Sequence, residues 1–141
     1  MRRGFTLPEL TVVLALVATG SSLALPRMRA QLDALATNSA REAAARALSR
    51  ARAEAPLWGG ALVELVEPGA IRVIVEERVL EVIDVEERFR VVMEIAGAAS
   101  AAEIRYDALG VGRLANRTLH FRRGRAEATL VVSAYGRVTR R

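Results

Sequence analysis

The chain has 141 residues, 52% of them hydrophobic and 26% charged, which is room for one membrane helix and one small domain. It holds no cysteine and one histidine, which excludes a disulfide scaffold and a Cys/His metal centre. All 21 basic residues are arginine and the net charge is +5, yet the charge is laid out in blocks.

Residues 1–59 hold eight arginines against four acids (+4), residues 60–104 four against ten (−6), and residues 105–141 nine against two (+7). Blocks of opposite sign predict two different surfaces. The absence of lysine reads as a coding or thermophilic habit, although arginine is also the better donor to phosphate and carboxylate.

The first element opens with Gly4-Phe5-Thr6-Leu7-Pro8-Glu9, preceded by Arg2-Arg3 and followed by the apolar run Leu10 to Leu25. Phe5 to Leu25 is 21 residues with a single charge, Glu9. At about 1.5 Å per helical residue this stretch reaches roughly 30 Å, the thickness of a bilayer's hydrocarbon core. Arg2-Arg3 would keep its start on the cytoplasmic side and send the remainder outward. A carboxylate in such a run costs about 2.5–3.5 kcal/mol near the helix centre and less toward the end, so Glu9 marks a function. An ordinary signal peptide fits less well. The run is long for one, Glu9 interrupts its start, and Pro26-Arg27 stand where a small-residue cleavage site belongs.

This stretch resembles the processing site of type IV prepilins and type II secretion pseudopilins. The resemblance implies that a membrane peptidase cuts after Gly4 and methylates the new amine of Phe5. It also implies that Glu9 is the acid required for assembly, often opposite the amine of a neighbouring subunit. The residues suit that chemistry. In a helix beginning at Phe5, Pro8 falls among the first four N–H positions, where no donor is missed. Glu9 lies one turn from the new amine, at the positive end of the helix dipole. At ~4 Å and an effective dielectric near 20, amine and carboxylate attract by about 4 kcal/mol, comparable with the burial cost.

Gly20-Ser21-Ser22 and Pro26 weaken the helix beyond the apolar run, and a kink or a stretch that melts on packing is expected there. From Arg27 to Ala55 the spacing is helical, with one stripe at Met28, Leu32 and Leu35 and another at Ala44, Leu48, Ala51 and Ala55. Ser39 with Glu42 three residues later could restart the helix as a capping box. The helix should end near Pro56.

After Pro56-Leu57-Trp58-Gly59-Gly60 the period becomes two. Val63 and Leu65, then Ile71, Val73 and Val75, then Phe89, Val91, Met93 and Ile95 alternate with polar residues and predict strands. Residues 78–87 fit either strand or helix. Ile104 with Tyr106, Leu119 with Phe121, and Leu130 with Val132 complete six or seven strands.

The expected fold is α+β: a long N-terminal helix, transmembrane and then amphipathic, packed on antiparallel β-sheets in a pilin-like arrangement. The divisions are a leader at 1–4, a transmembrane segment at 5–26, an amphipathic segment at 27–57 and a β-rich globular domain at 58–141. Ile104-Arg105-Tyr106-Asp107 with Gly110, and Tyr135-Gly136-Arg137-Val138, add a resemblance to H-type minor pseudopilins and FimT-like minor pilins.

Catalysis is poorly supplied. His120 stands on the outer face of its strand with no acid beside it in sequence, and Gly110-Val111-Gly112 lacks the helix and lysine of a phosphate loop. No cofactor is expected, and the chain does not read as an enzyme. Binding is better supplied, by Arg113, Arg117, Arg122, Arg123 and Arg125 around a hairpin and by Arg137, Arg140 and Arg141 at the end. FimT-like pilins end in a Gly-Arg-any-Arg element resembling one that binds DNA. Here Gly136, Arg137 and Val138 match, but Thr139 replaces the second arginine and Arg140 follows one residue late. In an extended tail, Arg137, Thr139 and Arg141 share a face and Arg140 points away.

The resemblance thus implies a subunit of a type II secretion pseudopilus or a type IV-like pilus. It would be single-pass in the cytoplasmic membrane, with its C-terminal domain outside. Other pilin subunits, the prepilin peptidase and the membrane would be its partners. Exported proteins or DNA are further candidates, and a membrane-anchored domain that never polymerises is the remaining alternative.

Overall fold

The computed structural model describes residues 6–98, 100–113 and 115–141. The helix α1 spans Leu7–Trp58 without interruption, through Gly20, Pro26 and Pro56 alike. By contacts the chain divides into two units, Met1–Leu32 and Asp33–Arg141.

In the first unit the described residues are exposed and predominantly apolar, Leu10, Val12, Val13, Leu14, Leu16 and Val17 among them. Among the described residues this is the helix long and apolar enough to cross a membrane. Three of its hydroxyls bond to its own carbonyls. Thr11 donates to Pro8, Thr19 to Ala15 and Ser22 to Thr19, at 2.7–2.8 Å. Such internal bonding lets polar side chains sit in an apolar span.

In the second unit, alanine decides how the helix is buried. Ala40, Ala43, Ala44, Ala47, Leu48, Ala51 and Ala55 fall at helical spacing and are all essentially inaccessible. The expected alanine stripe is therefore the buried face, whereas Leu35 remains exposed. Thr37 and Ser39 do not restart a helix. The buried Thr37 hydroxyl donates to the Asp33 and Ala34 carbonyls at 3.1 and 3.0 Å, and Glu42 turns to Arg41 and Arg140 instead.

The alanine face covers two antiparallel sheets. The first, of order β3-β2-β1-β5-β6, comprises β1 (Gly60–Val66), β2 (Ala70–Val75), β3 (Arg78–Asp84), β5 (Ala101–Asp107) and β6 (Gly112–Arg113). The second, β4-β7-β8-β9, comprises β4 (Val92–Ile95), β7 (Arg117–Arg123), β8 (Ala126–Val132) and β9 (Val138–Arg140). Alternation puts Val63, Leu65, Ile71, Val73, Ile104, Leu119, Phe121, Leu130 and Val132 inside, each worth about 1.5–3 kcal/mol of apolar transfer.

The described residues thus form nine strands, more than the six or seven expected. The extra ones are the short β6 and β9 and the edge strand β3, whose exposed Val79 and Val82 hide its alternation. Residues 78–87 prove to be both: strand to Asp84, then the short helix α2 (Val85–Phe89). Asp84 caps α2 by accepting from the Glu87 N–H at 3.0 Å, and Arg90 ends it in the left-handed region. Phe89 accordingly belongs to this helix and not to the strand that Val91, Met93 and Ile95 suggest.

Candidate functional site

Gly4 and Phe5, the expected processing pair, lie outside the described residues. Glu9 is in the first turn of α1 and exposed. Its Oε2 accepts from the Thr6 N–H at 3.5 Å, and the Leu10 N–H donates to the Thr6 carbonyl at 3.1 Å. Thr6 is thus the N-cap and Glu9 reaches back toward it, one half of a capping box. Thr6-x-x-Glu9 is a sequence signal for this that the membrane reading overshadows. Pro8 occupies the first turn, where its missing N–H has no acceptor to lose. The carboxylate therefore faces the start of the helix.

Four of the seven C-terminal arginine candidates have carboxylate partners. Arg113 pairs with Asp107 at 3.1 Å, and Arg122 with Glu94 at 2.9 Å and Glu127 at 3.5 Å. Arg123 pairs with Asp33 at 2.9 Å and donates to the Phe89 carbonyl at 2.9 Å. Arg140 lies on the other face of β9 from Thr139. Alternation along β9 turns it toward α1, where its Nε meets both Glu42 oxygens at 2.9 and 3.0 Å. Arg141 continues the pairing of β9, exchanging backbone bonds with Thr129, and its carbonyl accepts from Arg41. Arg125 and Arg137 are exposed. Arg117, from the same basic stretch, donates to the Asn116 carbonyl at 2.6 Å. His120 has an acid neighbour after all, Glu127 across the hairpin at 3.0 Å. Among the described residues no three His, Cys, Asp or Glu side chains gather as a metal-binding set.

The structure does bring Arg137 and Arg140 together, with Arg52 of α1, a residue the sequence reading passed over. The three line a cleft of about 240 Å³ between α1 and β9, with Ser49 and Gly136. Two turns hold the tail against the helix. Asp107 Oδ1 accepts from the Leu109 and Val111 N–H groups at 2.9 and 3.0 Å, while Oδ2 takes Arg113. The Val111 N–H above all, with Leu109 and Arg113, holds this carboxyl below its ordinary range against some desolvation. Gly110 in the same turn has φ +71°, and a Cβ there would lie 2.9 Å from the Arg52 carbonyl. Gly136 has φ +77° and sits against the Tyr106 ring. Tyr106 is 3% exposed with no partner for its hydroxyl among the described residues, and burial pushes its pKa up to about 12.

No family model and no curated protein matches the sequence. Two crystal structures of the type IV minor pilin FimU of Pseudomonas aeruginosa, in space groups P21 and P65, are similar to the chain. Each shows a TM-score of 0.58 and 18% identity over 74% of this chain, covering 87% and 91% of theirs. The chain therefore carries the pilin fold, a long N-terminal helix packed on antiparallel β-sheets.

Proposed function

We propose that the chain is a minor pilin or pseudopilin, cut after Gly4, methylated on Phe5 and assembled into a pseudopilus or type IV-like pilus serving secretion. The observation that carries this is one helix with two halves. The first is apolar and exposed at its described positions, with Glu9 at its mouth, and the second buries its alanine face against the sheets of a pilin fold. The exposed half crosses the cytoplasmic membrane before assembly and leaves the β-rich unit outside. In the filament its apolar surface packs among the helices of other subunits. Glu9 then faces the amine of a neighbour.

Mass spectrometry of the mature protein tests the processing step and should find an N-methylated Phe5 at the start. Retention of Met1, or any other start, overturns it. Glu9→Ala should remove the protein from sheared filaments while leaving it in the membrane fraction. Unchanged recovery would favour an anchored domain that does not polymerise. The competence reading, with DNA bound through the C-terminal arginines, is the weaker one, because four of its seven candidates have carboxylate partners.

A further inference from the structure

The hairpin between β2 and β3 is built against its own backbone preference. Val75 pairs with Arg78, so Glu76 and Glu77 form a two-residue loop with φ of +45° and +64°. Loops with both residues in the left-handed region ordinarily take Asn-Gly or Asp-Gly, and a larger residue there is strained. Both glutamates are exposed. Arg105 lines the same shallow groove, yet its guanidinium is held by Glu103 at 2.8 and 3.2 Å. The other adjacent acidic pair, Glu86-Glu87, has a local reason, since it occupies the first turn of α2 where the helix dipole favours anions. Among the described residues, Glu76 and Glu77 have no such reason.

A complementary surface exists on the other sheet. The cleft between α1 and β9 presents Arg52, Arg137 and Arg140, and no carboxylate is among its described lining residues. Arg140 meets Glu42, while Arg52 and Arg137 are exposed and form no ion pair among the described residues. About 240 Å³ is room for the ends of two acidic side chains. Guanidinium forks match carboxylates closely, and the cleft walls shield such pairs from part of the solvent.

We propose that the Glu76-Glu77 turn of one copy docks into the Arg52–Arg137–Arg140 cleft of the next. The inference rests on the filament reading. The contact joins two different surfaces, so it is heterologous and propagates along an assembly instead of closing into a dimer.

The chain has no cysteine, which makes the test clean. Full-length protein carrying Glu77→Cys and Arg137→Cys together should give a ladder of disulfide-linked multimers in sheared filaments under mild oxidant, and neither single variant should. Charge reversal gives the second arm. Arg52→Glu with Arg137→Glu should lower filament recovery by about tenfold or more, and adding Glu76→Arg with Glu77→Arg should restore most of it. Filaments recovered in full from the arginine variants, with no ladder from the cysteine pair, overturn this contact and leave the filament reading standing. Absence of the unaltered chain from every filament fraction overturns both. If the arginine variants lose only retention of duplex DNA in a gel shift, the cleft serves nucleic acid and the proposal fails.

Discussion

Tyr106 shows how much one side chain can cost in an otherwise consistent core. Its ring packs against Gly136 and its hydroxyl is buried with nothing to bond among the described residues. An unpaired buried hydroxyl costs roughly 1–3 kcal/mol, so Tyr106→Phe should stabilise the detergent-solubilised chain by about 1 kcal/mol in urea unfolding. Alkaline pH enlarges the difference. The folded-state pKa is raised from 10.0 to about 12, so the neutral phenol is favoured in the fold. Its contribution is whole below pH 10 and is lost as pH rises through 12, while the phenylalanine variant loses nothing by this route. Equal slopes for the two proteins above pH 10 would contradict the assignment. Asp107 carries the opposite sign. Its pKa is lowered from 3.8, so what it contributes is present above that value and fades as pH falls below it. Asp107→Ala should therefore weaken the chain at pH 7 and converge with the unaltered protein in acid, as read by unfolding midpoints.

The alanine face of α1 is an element built for close approach. Ala44 has no accessible surface, and a leucine there would have to displace strands already filled by Leu119, Phe121 and Leu130. Ala44→Leu should destabilise by about 1–3 kcal/mol or more by overpacking. The β2–β3 hairpin offers the reverse. Replacing Glu76-Glu77 by Asn-Gly should raise stability by about 1–2 kcal/mol in the same unfolding measurement, because both positions have positive φ. The proposed docking predicts that the same variant assembles less well, a trade of stability for function.

These elements also show what a sequence makes legible. The alanine stripe and the alternation of Val63, Leu65, Ile71 and Val73 are local periodicities, and both reappear as buried faces. Phe89 misleads because Asp84 caps a single helical turn just where strand spacing continues. Ser39 and Glu42 misleads in the other direction, since a capping pattern inside a packed helix is overridden by burial of Thr37 and by a distant arginine. The cleft with Arg52 was not legible. It joins residues 52 and 137, a pairing set by the crossing of α1 with the last strand and by no spacing within either.

Across the whole molecule, ion pairs join all three charge blocks. Arg122 reaches Glu94, Arg50 reaches Glu81, and Arg140 reaches Glu42. These pairs are substantially exposed, and each is worth about 0–1 kcal/mol, so charge orients surfaces here more than it holds the fold. Stability comes instead from apolar burial, and among the described residues the buried apolar side chains lie between Ala40 and Val132. Removing residues 1–32 should then delete the exposed apolar helix and none of the core. Cutting before Asp33 also keeps its pairing with Arg123. Residues 33–141 alone should be soluble without detergent and unfold in one cooperative transition, with a urea midpoint close to that of the full chain in detergent. An aggregated or non-cooperative fragment would mean that residues before Asp33 help stabilise the sheets, and the division of labour between the two halves of α1 would have to be abandoned.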